Sequence, residues 1–75
     1  MEYTILVHEA EYGGFWSEVP TLSGCYSQGE TIDETLHNTK EAIESYLMAL
    51  REDLVAAPIE ESLFIGKVRV EVAGL

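Results

Sequence analysis

Seventy-five residues, 47% of them hydrophobic, carry fourteen Asp and Glu against four Lys and Arg, a formal charge of −10. This bounds the chain to one acidic domain over residues 1–75 with no room for a second core, and the charge argues against direct binding of nucleic acid. A single cysteine excludes an intrachain disulfide, and the absence of a long apolar run or a signal-peptide pattern leads us to expect a soluble cytoplasmic protein with no membrane partner.

"YTILVHEA", residues 3–10, is rich in apolar and β-branched residues and too short for a helix, so it is read as a first strand with Tyr3, Ile5 and Val7 on one face and Thr4, Leu6 and His8 on the other. Gly13 and Gly14 supply a hairpin turn into a second strand from Phe15 to Val19, ended by Pro20. After the turn "TLSG", residues 25–28 form a short third strand closed by Gly29. Thr31 with Glu34 is a capping-box pattern, which starts a helix at about Ile32. Its predicted apolar stripe is Ile32, Leu36, Thr39, Ile43, Tyr46, Leu47, Leu50 and Leu54, and Pro58 places its end between Leu54 and Ala57. Finally, Phe64, Val68, Val70 and Val72 alternate with Lys67, Arg69 and Glu71, the pattern of a fourth strand over residues 63–72. The expected fold is α+β, ordered β-β-β-α-β, with one helix packed on one face of a sheet.

The other face of that sheet has no cover of its own, yet Leu6 and Trp16 supply it with apolar material. An uncovered apolar face marks an association site, and a chain too small for a large core gains stability by association. A homo-oligomer, dimer or higher, is therefore expected. Within the first hairpin, Trp16 is the predicted anchor for a protein partner, and Glu9, Glu11 and Glu18 are the acids predicted to meet a basic one.

Catalytic readings are weaker. Cys25 needs a basic neighbour to ionise near neutral pH, and nothing in the sequence places His8 or His37 beside it, so a packed core thiol is the simpler reading. Two histidines and one cysteine do not make a zinc site. Glu9, Glu18 and Asp33 are the acids that a metal-dependent nuclease would use, though scattered acids are ordinarily surface. The glycines match no phosphate-binding loop. We therefore expect no catalytic, cofactor-binding or metal-binding residues.

Residues 14–50, "GFWSEVPTLSGCYSQGETIDETLHNTKEAIESYLMAL", resemble the HicB family of antitoxins and its short HicB-like relatives. The shared positions are Pro20, Leu22, Gly24, Cys25, Gly29, Glu30, Thr31, Glu34, Ala42, Tyr46 and Leu47. Departures are Thr21 where an acid is common, Ser23 where proline is common, and Thr35 where the family often has alanine, while Glu30 keeps the acid of the pattern but is not the usual Asp. The resemblance implies a partial ribonuclease H-like fold without catalytic acids, and a role in neutralising a small basic RNA-cleaving toxin of the HicA type by direct binding. Many relatives continue into a DNA-binding domain; this chain ends before such a segment, and no DNA binding is expected. The alternatives are an orphan oligomeric module with no toxin and, further off, a divergent metal-dependent nuclease.

Overall fold

Gly13 and Gly14 adopt φ angles of 107° and 73°, values that side chains with a Cβ rarely tolerate. The turn they make, closed by the Ala10 amide donating to the Gly14 carbonyl at 3.0 Å, joins β1 (Leu6–Glu9) to β2 (Phe15–Glu18). The structure, a computed structural model, describes residues 1–75. β3 (Tyr26–Gly29) and α1 (Ile32–Glu52) follow. The three strands form one antiparallel sheet in the order β1-β2-β3.

Register decides which side chains meet the helix. Val7 pairs with Ser17 and Ser17 with Ser27, while Glu9, Phe15 and Gly29 form the next row on the same face. Ser17 is fully buried there against α1, its Oγ 2.6 Å from the Thr39 Oγ1. The Thr39 hydroxyl donates to the Thr35 carbonyl and the Thr35 hydroxyl to the Thr31 carbonyl at 2.7 Å. With its one proton so used, Thr39 accepts from Ser17. These small side chains let the helix approach closely: a Cβ on Gly29 would lie 2.7 Å from the Thr35 amide nitrogen and 2.8 Å from its hydroxyl.

Apolar packing takes over further along the helix. Val19, Leu22 and Cys25 form the buried core, with Tyr3, Ile5, Ala42, Ile43, Tyr46 and Leu47 packed around it. All three core residues come from one loop that folds on itself, the Leu22 amide bonding the Val19 carbonyl and the Cys25 amide the Leu22 carbonyl, both at 3.0 Å. The Tyr46 hydroxyl donates to the Ser23 carbonyl at 3.0 Å and fastens the loop to the helix.

Two expectations for the helix need correction. Its sheet-facing stripe starts at Thr35 and Thr39, both fully buried, whereas Ile32 and Leu36 are exposed, because the close approach at Gly29 admits only small side chains at that end. The helix also stops at Glu52, earlier than Pro58 requires. Thr31 caps its start, accepting from the Glu34 amide at 3.0 Å. At its end the Leu54 amide reaches the Arg51 carbonyl at 3.1 Å and the Val55 amide the Leu50 carbonyl at 2.8 Å, a Schellman closure that puts Leu54 at φ 58°.

A third correction concerns the fourth strand. Residues 63–72 form no ladder within the chain, and every residue from 61 to 75 is exposed. The chain before them is anchored: Tyr3 donates its hydroxyl to the Pro58 carbonyl at 2.6 Å, and the Glu60 carboxylate accepts from the Thr4 amide at 2.6 Å and the Thr4 hydroxyl at 2.9 Å. Past that root the segment leaves the body. α1 packs chiefly on β3 and β2, so the β1 side of the sheet is left short of cover.

Two stability predictions follow from these contacts. Thr39→Val strands the buried Ser17 hydroxyl and lowers unfolding free energy by about 1–3 kcal/mol, while adding Ser17→Ala recovers most of the loss; urea midpoints of both single variants and the double variant measure this. Leu54→Gly removes left-handed strain from a side chain 94% exposed and raises stability by about 1 kcal/mol, read as a higher midpoint at unchanged slope.

Candidate protein-binding face

The rows that alternate with Ser17 point away from the helix. Leu6, Glu18 and Tyr26 form one such row and His8, Trp16 and Gln28 the next. Cross-strand neighbours on one face lie within contact distance. The His8 ring stacks on Trp16 with centroids 4.2 Å apart and planes at 19°, and Tyr26 tilts against the other side of Trp16 at 6.4 Å. The His8 Nε2 and a Glu18 carboxylate oxygen are 3.1 Å apart, so the imidazole is held by a stack and a hydrogen bond at once. No element of the chain covers this patch, and Trp16 and Tyr26 remain 37% and 62% exposed.

Of the four partner-binding residues read from the sequence, Trp16 and Glu18 lie on this face. Glu9 has the opposite parity, on the helix side of the sheet, and Glu11 sits in the hairpin turn, so the four do not converge on one spot. The four residues read from the sequence leave out His8 and Tyr26. Their signal was present, since His8 shares parity with Leu6 and the Gly13–Gly14 turn fixes the register that sets it opposite Trp16.

The chemistry weighed for Cys25 has no geometry behind it. Its thiol is buried in the core, and burial raises its pKa above the ordinary value, away from thiolate. His8 is engaged with Glu18 and Trp16, while His37 pairs with Glu41 one helical turn away at 3.0 Å. No three His, Cys, Asp or Glu side chains are grouped so as to hold a metal ion; Glu9 and Glu18 lie on opposite faces and Asp33 is in the first turn of α1. No helix is long and apolar enough to cross a membrane.

Fold and face together define a small α+β domain whose distinctive surface is an aromatic sheet face. The chain belongs to the HicB-like antitoxins of bacterial toxin–antitoxin systems, whose family model matches residues 3–71. It is 42% identical over 69 residues to a UPF0150 protein of Synechocystis, covering 92% of this chain and 94% of that one. A UPF0150 protein of Archaeoglobus fulgidus is 36% identical over 72 residues, 96% of each chain, and one of Helicobacter pylori is 39% identical over 67 residues, 89% of this chain and 93% of its own. Family membership gives the chain an antitoxin role in general terms.

The Cys25 thiol carries a pH prediction. Its folded-state pKa is raised, so the folded chain keeps this proton to higher pH than the unfolded chain. The contribution is fully present below the unfolded thiol pKa and is lost as pH rises from there through the raised folded value. Urea unfolding between about pH 7 and 10 should show a steeper alkaline loss of stability in the natural chain than in Cys25→Ala; equal slopes would contradict a buried, proton-retaining thiol.

Proposed function

We propose that the chain neutralises a small basic RNA-cleaving toxin of the HicA type by binding it directly through the outer face of the sheet, with no catalysis and no cofactor of its own. One observation carries this reading: His8, Trp16 and Tyr26 form a fixed aromatic patch on a face that α1 leaves bare. Amphipathic rings with little rotamer freedom left to lose are characteristic interface anchors. A basic partner suits a chain of formal charge −10, which would steer encounter and set orientation. Glu18 lies within the patch, and Glu9 and Glu11, at the hairpin end, act from the rim. The same charge supports a protein partner over direct contact with nucleic acid. In this reading the protein acts in the cytoplasm as a homo-oligomer.

Co-expression with the product of a short basic reading frame beside the gene tests the proposal. Growth should be restored and the two proteins should copurify, and Trp16→Ala should weaken the complex by about thirtyfold or more. Charge reversal at Glu9, Glu11 and Glu18 should slow association and flatten its salt dependence. Failure of rescue and of copurification with the natural chain would overturn the toxin reading. A complex indifferent to Trp16→Ala would overturn the choice of face.

A further inference from the structure

Residues 63–72 have the alternation of a strand and none of its partners. Phe64, Val68 and Val70 are 90%, 86% and 75% exposed, an arrangement that leaves both apolar surface and backbone hydrogen-bonding groups in water. The whole molecule is drawn out to 53 × 29 × 17 Å with a radius of gyration of 15.4 Å, against roughly 11 Å for a compact chain of this length.

The surface that such a strand would complete lies at the β1 edge. β2 occupies one side of β1, the other side is unpaired, and α1 is set over β3 and β2. A mainly apolar groove lies between the N-terminal segment and the helix, lined by Met1, Tyr3, Ile5, Ile43 and Leu47 with Lys40 and Glu44 at its rim. A strand laid along β1 would turn one parity of its side chains toward the helix layer, and in residues 63–72 one parity is Phe64, Val68, Val70 and Val72.

The root of the arm favours another molecule's edge over its own. Pro58 and Glu60 are fixed beside Tyr3 and Thr4, just ahead of β1, and every residue from 61 onward is exposed and outside the sheet. Ten extended residues span about 33 Å, ample to lie along the four-residue β1 edge, Leu6–Glu9, of a neighbour. Charge points to the same occupant. The arm holds two of the chain's four cationic side chains, Lys67 and Arg69, against one of its fourteen acids, Glu71. It is a positive segment that meets strongly negative surface on any second copy.

We propose that residues 63–72 become a β-strand in trans, pairing with the β1 edge of a second copy and seating Phe64, Val68 and Val70 in its groove, while that copy's arm does the same in return. Reciprocal exchange gives a closed two-fold dimer in which each sheet has four strands. The outer face carrying Trp16 stays open, so exchange is independent of the toxin reading and survives its failure.

The test uses the full chain. Sedimentation equilibrium should give a dimer, and V68K/V70K should raise its dissociation constant by at least about a hundredfold with the helical circular dichroism unchanged, because those side chains are largely exposed in the single chain. Trp16→Ala should leave the dimer intact. In samples mixing isotope-labelled with unlabelled chains, intermolecular contacts should connect the Val68 and Val70 methyls to Ile5 and Ile43. A monomeric natural chain would overturn the proposal. So would a dimer that V68K/V70K leaves unchanged or that Trp16→Ala dissolves, or arm contacts found solely within one chain.

Discussion

The contact on which the rest of the molecule depends is the close seating of α1 on β2 and β3, where the Ser17 and Thr39 hydroxyls meet at 2.6 Å and Gly29 passes beneath Thr35. A hydroxyl pair of this kind contributes about 1 kcal/mol net, so its importance is geometric. It requires small side chains on both elements, and it fixes the helix over one side of the sheet. Leu22 can then fill the space beneath the later turns of the helix, and β1 is left at the margin.

From that placement comes a molecule with little interior. Six of its 75 residues are buried, three of them hydrophobic, and the apolar material that an isolated domain would hide lies outside. On one side is the Trp16 face, organised by stacking and by the His8–Glu18 bond; on the other are the bare β1 edge and an arm that leaves the body. Small domains commonly reach adequate stability by association. For a HicB-like antitoxin, whose general role is exercised on another protein, external surfaces of this kind are also where function resides. The aromatic face and the β1 edge are different parts of the sheet, so the proposed strand exchange would leave the proposed docking face free.

Much of this was legible in the sequence. Paired glycines, Pro20, the Thr31 cap and period-two alternation place three strands and a helix close to where they occur, and Pro20 through Leu47 carry the family resemblance. What escaped has specific causes. Periodicity assigns Ile32 and Leu36 to the buried stripe, but it does not register that a glycine in the strand below brings backbone too near for them. Thr35 reads as a departure from alanine, although its hydroxyl bonds the Thr31 carbonyl inside the helix, which costs nothing in buried polarity. Leu54 gives no stop signal because a leucine seldom takes the left-handed position that glycine favours. The face residues His8 and Tyr26 required register, which the hairpin turn supplies once the strands are in place. The fourth strand shows the limit of pattern reading: alternation says what a segment would be when paired, not which chain provides the edge.

Amide hydrogen exchange across residues 63–72, followed as the protein is diluted, tests most directly whether this fold is finished by a second copy. Alternate arm amides should be protected at high concentration and lose protection together as the chains separate, while the protection of α1 persists. Arm amides that exchange at free-chain rates at every concentration, or that stay protected however far the protein is diluted, would contradict the account.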